Sequence, residues 1–299
     1  MQRTFRMKRT FDDRLVSIVS YTVITFFAIV CLFPFVYIIG TSFMSYGEYL
    51  EAPMRIFPHE ISFSAYEEIF GMKLIYTGYG NTLFVTLVGT TLSILLLVLS
   101  AYPLSRKHLK GRGIVLAMVT FTMFFDGGMI PNYILIRTLQ MNNTLWALIL
   151  PGVISAFNLI LMKNFIMGTI PASLEEAALV DGASPIKILL SIIFPLSKPA
   201  IATFIVFLSV GYWNNYFNAI IYCTKREVWP LMVVLREIVV DQSAGLTANT
   251  AAVISSMQKA HSFTLKMATI VVTTLPILIV YPFLQKYFIA GLMIGSVKE

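Results

Sequence analysis

The sequence predicts an all-α integral membrane protein of six transmembrane helices, with both ends of the chain on the cytoplasmic side. Three observations carry this reading. Of 299 residues, 57% are hydrophobic and only 12% are charged, whereas a soluble domain carries about 25% charged residues. The mean hydropathy is +0.79. Six apolar stretches each approach or exceed the ~20 residues a bilayer requires, and polar segments punctuated by Pro and Gly separate them.

Residues 1–14 form a basic arm holding Arg3, Arg6, Lys8, Arg9 and Arg14. The first span, 15–40, contains Pro34, which is expected to kink it. It is too long for the ~7–15-residue core of a signal peptide and lacks a small-residue cleavage site, so it reads as a retained anchor. Residues 41–77 are polar and carry Pro53, Pro58 and five glutamates. The second span, 81–104, closes on the basic run Arg106 to Arg112. The third begins at Gly113 and is interrupted by Asp126-Gly127-Gly128 and Pro131. A short interfacial helix is expected over 132–141, and Asn142-Asn143-Thr144 precede the fourth span, 145–166.

A polar island follows at 171–196. The fifth span, 200–222, ends at Lys225-Arg226-Glu227, and a mixed loop over 223–262 has a polar tip at 242–250. The sixth span, 265–288, holds Pro276 and Pro282. The divisions that result are the arm (1–14), the first span with its loop (15–76), the transmembrane domain (77–290) and a cytoplasmic tail (291–299).

With the arm inside, fourteen of the 22 Lys and Arg fall on the inner side. Most of the remainder lie in the two long loops, where the positive-inside rule is weak. The short loops agree with it. The net charge of +7 is therefore a topology signal rather than a nucleic-acid patch, and the island is cytoplasmic. Cys31 and Cys223 form no spaced cluster and read as free thiols.

The island is punctuated residue by residue. Pro171 stops the preceding helix, and Ser173 with Glu176 has the spacing of a capping box. Helix formers run to Val180. Gly182 suits a helix-terminating residue with positive φ. Ser184-Pro185 opens a second helix, serine as cap and proline at the first position, and Pro195 ends or kinks it. Two short helices at a sharp angle, outside the bilayer, are the shape of a surface made to fit something.

The sequence contains no phosphate loop of the form G-x-x-x-x-G-K-[ST], and His59-Glu60 lacks the second histidine of a zinc-protease helix. No metal site is expected. Energy for active transport would have to come from another chain. Inside the spans, polar groups are costly unless they face a cavity or a neighbouring helix. The fifth span is richest in them: Tyr212, Trp213, Asn214, Asn215 and Asn218, with Asn214 and Asn218 four apart and hence on one helical face. Asn158 and Asp126 are further candidates. Amides beside aromatic rings suit sugar hydroxyls and apolar sugar faces, although Asn also joins helices and Tyr and Trp also form interfacial belts.

Glu176-Ala177-Ala178, Gly182 and Ile192-x-Phe194-Pro195 resemble the cytoplasmic loop signature of binding-protein-dependent ABC importer permeases, with Phe194 in place of leucine. The stretches 81–84, 101–104 and 213–214 and the tail 285–298 are similar to the second permease of carbohydrate importers. Residues 125–131 and 281–286 resemble the complex-oligosaccharide, aldouronate-type branch. The likeness covers roughly 75–290.

What the resemblance implies is a bacterial multi-pass permease of the cell membrane that imports oligosaccharides by alternating access. Its expected partners are a second, related permease, two ATPase subunits and an extracellular solute-binding protein. No cofactor is implied in this chain, since ATP and Mg belong to the ATPase. The resemblance assigns ATPase coupling to Glu175, Glu176, Ala177, Ala178, Asp181, Gly182, Ala183 and Pro195. It assigns the binding-protein contact to the tip with Gln242, Gly245 and Asn249. A permease for a non-sugar solute such as a peptide, or an ion-coupled carrier working alone, are the alternatives. The carrier would need charges deep in the spans, and beyond Asp126 and Lys266, both near span ends, none is found.

Overall fold

The computed structural model describes residues 11–244, 263–280 and Pro282. Every regular element among them is helical. The chain divides into two units, Met1–Gly71 with Asp241–Val272 and Met72–Val240 with Thr273–Glu299.

In the first unit, α1 (Phe11–Ser42) is continuous through Pro34. Its outer length is apolar on every face, and residues such as Tyr21, Phe26, Phe27 and Leu32 are exposed. A helix apolar all round is one that lipid or another subunit must cover. Residues 41–77, expected as a plain polar loop, contain α2 (Tyr46–Glu51) and α3 (Ser64–Gly71). Ser45 caps α2 by accepting the Glu48 N–H at 3.3 Å. Met44, Ala65 and Ile69 are buried, and Ser42 Oγ meets Tyr66 Oη at 2.7 Å. The Glu48 carboxylate accepts the His59 N–H at 2.6 Å and pairs with Arg55 at 3.1 Å. The backbone donor first, then the guanidinium, hold its carboxyl below the usual carboxylate value. Tertiary burial of α3 and the Ser45 cap, rather than any long apolar run, make these helices.

The second unit is built around α4 (Lys73–Ser105), which packs on α8 and α12. Two apolar layers lie along it. One gathers Leu97, Ala101, Met162, Ile166, Ile188, Ile193 and Phe204. The other gathers Val85, Ala147, Ile149, Tyr212, Tyr222 and Val233. At Gly89 the side chain is dispensed with for a reason: a Cβ there would lie 2.8 Å from the Tyr212 ring.

Among the described residues, three helices are long and apolar enough to cross a membrane: Leu15–Ser42 within α1, α4, and α15 (Phe263–Val280). Three bent pairs bring the number to six if each pair is one span. The interruption expected at Asp126–Gly128 is present: α5 (Arg112–Phe124) and α6 (Met129–Thr138) meet at 113°. Asp126 Oδ1 accepts the Gly128 N–H at 3.2 Å, and Gly128 has φ 84. The fourth stretch is also broken. α7 (Trp146–Ile149), extended by a tight turn over Leu150–Gly152, meets α8 (Ala156–Thr169) at 52°. Pro151-Gly152 explain this break, since proline removes a donor and glycine weakens the helix.

The 223–262 segment departs most from expectation, because α14 (Leu231–Ala244) occupies its first half. Leu231, Val233 and Val234 are buried. The Leu231 N–H donates to Thr82 Oγ1 at 2.8 Å, and Asn81 Nδ2 donates to the Glu227 and Trp229 carbonyls. The arm residues 1–10, the loop-tip residues Gly245 and Asn249 and the tail lie outside the described residues.

Candidate functional site

The island forms α9 (Ala172–Val180), α10 (Pro185–Ile188) and α11 (Phe194–Leu196), joined through a wide helical turn over Leu189–Ile193. The capping box does not form. Pro171 is the N-cap, with φ −59 and ψ 139, and no side chain caps the helix. Proline has already turned the chain into the helix, so Ser173 falls inside the first turn. The C-terminus is as the sequence predicts. Gly182 has φ 75, its N–H donates to the Leu179 carbonyl at 3.0 Å, and the Ala183 N–H donates to Ala178 at 2.8 Å. These are the two bonds of a Schellman motif, which closes the orphan carbonyls of a helix end.

Ser184 then caps α10 by accepting the Lys187 N–H at 3.3 Å, with Pro185 at its start. Pro195 lies just past the wide turn, and the Pro185–Leu196 segment meets α12 (Lys198–Trp213) at 75°. A turn fixed by bonds on both sides is rigid.

The adjacent carboxylates face opposite ways. Glu175 is buried, the only buried residue of α9. Its carboxylate accepts the Tyr102 hydroxyl at 2.7 Å and pairs with Arg106. Arg106 in turn lies 5.4 Å over the Tyr102 ring. Removing one member of such a buried pair costs about 3–5 kcal/mol, because the other charge is left stranded.

Glu176, Ala177, Asp181, Gly182 and Pro195 are exposed, while Ala178 and Ala183 are partly covered. Around Glu176 the island also exposes Leu174, Leu179, Val180, Ile186 and Leu190. Exposed apolar side chains gathered in one short stretch of chain suit contact with a partner.

The fifth-span cluster is dispersed. Tyr212 is buried, its hydroxyl 2.9 Å from Ser93 Oγ and 3.4 Å from the Ile149 carbonyl. Trp213 is buried beside Tyr79, ring centres 6.4 Å apart, and its indole N–H has no acceptor among the described residues. α12 ends there. Asn214 bonds back to the Val210 carbonyl at 3.0 Å, and Asn215 Nδ2 reaches the Leu148 carbonyl at 3.4 Å. α13 (Phe217–Tyr222) starts anew, so Asn214 and Asn218 do not share a continuous helical face. Both are exposed, and Asn158 is half-buried in α8. Gln242 lies within α14. The sequence reasoning missed Arg106, which it counted only as a topology charge. Its position directly after an apolar span, ahead of the rest of the basic run, was the available signal.

No protein-family model matches the chain. The polygalacturonan/rhamnogalacturonan transport system permease protein YtcP of Bacillus subtilis (strain 168) is 43% identical over 286 residues, 96% of this chain and 99% of the relative. The chain belongs to the permease family of sugar and oligosaccharide ABC transport systems. Protein LplC of the same organism is 43% identical over 271 residues, covering 90% of each chain. Among solved structures, a permease-sized chain of a bacterial ABC transporter that imports the acidic polysaccharide alginate superposes with a TM-score of 0.84 at 34% identity. That match covers 94% of this chain and 99% of the other. As a family member the chain is a membrane-embedded transport subunit.

Proposed function

We propose that the chain is one of two permease subunits of a bacterial importer that moves oligosaccharides from acidic plant or algal-type polysaccharides inward across the cytoplasmic membrane. A separate ATPase pair supplies the energy, and an extracellular solute-binding protein delivers the sugar. The substrate class follows YtcP, named for polygalacturonan and rhamnogalacturonan, and the alginate importer. In this reading residues 77–290 form the transmembrane domain, six spans run with both termini inside, and the island faces the cytoplasm.

The observation that carries the coupling role is the exposed Glu176 on a rigid, capped helix pair amid exposed apolar side chains. A rigid projection transmits displacement; a floppy loop would absorb it. ATP binding closes the ATPase pair, the island moves with it, and the spans open outward to receive sugar. Hydrolysis returns them. Glu176, with Ala177, Asp181, Gly182 and Pro195, contacts the ATPase. Asn158, Trp213, Asn214 and Asn218 remain pathway candidates, whereas Tyr212 and Asn215 are engaged in helix packing. The tip at 242–250 faces the binding protein.

The test is reconstitution of the chain with its partner permease and ATPase in vesicles, followed by uptake of labelled oligogalacturonide delivered by the binding protein. ATP-dependent uptake supports the reading. Uptake by the lone chain without ATPase, or uptake of peptides and not of sugars, overturns it.

A further inference from the structure

Glu175 and Glu176 are neighbours with different surroundings, the first buried and the second exposed. α9 is otherwise exposed apart from the partial cover over Ala178, and Glu175 is its single buried side chain. Its partners, Tyr102 and Arg106, belong to the end of α4: Tyr102 in the last helical turn and Arg106 at the C-cap. α4 is also the helix against which α8 and α12 pack, with Ser93 and Gly89 receiving Tyr212 from α12. α9 is thus joined to the central helix of its unit through one buried carboxylate, while the segment after it adds Ile188, Leu189 and Ile193 to the apolar layer along α4.

The chemistry of the tie is directional. A carboxylate held by a phenol hydroxyl and a guanidinium fixes both separation and orientation, whereas an apolar contact permits sliding. Stacking of the guanidinium on the Tyr102 ring fixes the third member. Arg106 Nη2 is buried with no hydrogen-bond acceptor among the described residues. A fully satisfied site would offer that nitrogen a second acceptor, so the pair has little reason to be there for stability alone.

We propose that Glu175, with Arg106 and Tyr102, is the positioning joint that carries displacement of the α9 helix to α4, while the docking contact is left to Glu176 and its exposed neighbours. This rests on the functional reading above. Glu175 touches neither solute nor nucleotide. It acts through α4.

The test uses the assembled transporter and two variants, Glu175→Gln and the double variant Glu175→Gln/Arg106→Met, the second leaving no stranded charge if the first fails to insert. Solute taken up per ATP hydrolysed is measured together with co-purification of the ATPase. A second readout is the spin-label distance between Val180→Cys on α9 and Leu99→Cys on α4, both exposed, in a chain with Cys31→Ser and Cys223→Ala.

The expected result is unchanged co-purification, at least a tenfold fall in uptake per ATP in the double variant, and a narrow distance distribution that becomes broad. An uptake ratio within twofold of the parent, or an unchanged distance distribution, overturns the joint. Loss of co-purification in a variant that still inserts also overturns it, by making Glu175 a docking residue. If the parent chain itself never binds an ATPase, the functional reading fails; the label distances then decide the joint by themselves.

Discussion

Two interruptions of helix in the second unit make an instructive pair: the turn at Asp181–Pro185 and the break at Asn214–Tyr216. At the first, every bond is assigned to a residue type chosen for it. Gly182 takes φ 75, the Schellman bonds close α9, and Ser184 caps α10. At the second, no proline or glycine occurs and no side chain caps α13. Asn214 instead bonds back to its own helix, and Asn215 reaches across to the end of α7. A turn written in local chemistry holds its shape when pushed. A break held by neighbouring helices takes its shape from them. The difference suits a lever in one place and an adaptable pathway in the other.

Gly182→Val tests the first turn most severely. A β-branched residue is strongly disfavoured at positive φ, and strain of this kind costs about 1–3 kcal/mol. Transport and ATPase stimulation are expected to vanish while insertion persists. Uptake near the parent level would show that the turn tolerates reshaping.

Gly89→Val probes the anchoring of α12 beside the second break. Its Cβ would meet the Tyr212 ring at 2.8 Å, and overpacking of a core typically costs about 1–3 kcal/mol. A lower melting temperature in detergent is the expected result, with Gly89→Val affecting α4–α12 packing rather than ATPase binding. Ser184→Ala removes a helix cap, worth about 1 kcal/mol, and should lower the melting temperature slightly with uptake reduced but present. Asn218→Ala is expected to change stability by less than about 0.5 kcal/mol, as for exposed positions. A larger loss would show that the break is locally built after all.

The contrast also explains what the sequence could reveal. The island's turn was readable because Gly182, Ser184 and Pro185 each act within a few residues of themselves. The bend after Phe124 was readable from Asp126-Gly127-Gly128 for the same reason. The expected capping box is absent because Pro171, not Ser173, is the N-cap, and the helix starts two positions earlier. The break after Trp213 was not readable, since its apolar and aromatic residues favour continuation and the tertiary contacts of Tyr212 and Asn215 decide against it. α14 stayed hidden because its start is set by Thr82 and by burial of Leu231 against α4. The Glu175–Arg106 pair joins residues far apart in the chain. Local reading names both charges and still cannot see that they meet.

The most direct measurement of the central claim is ATP hydrolysis by the assembled transporter carrying Glu176→Lys, with binding protein and oligosaccharide present. Glu176 is exposed and outside the buried pair, so the variant should insert and fold as the parent does. Stimulated hydrolysis and uptake are expected to fall to the unstimulated level. Stimulation and uptake equal to the parent would contradict the account, and would leave the island as a well-capped helix pair with no hold on the ATPase.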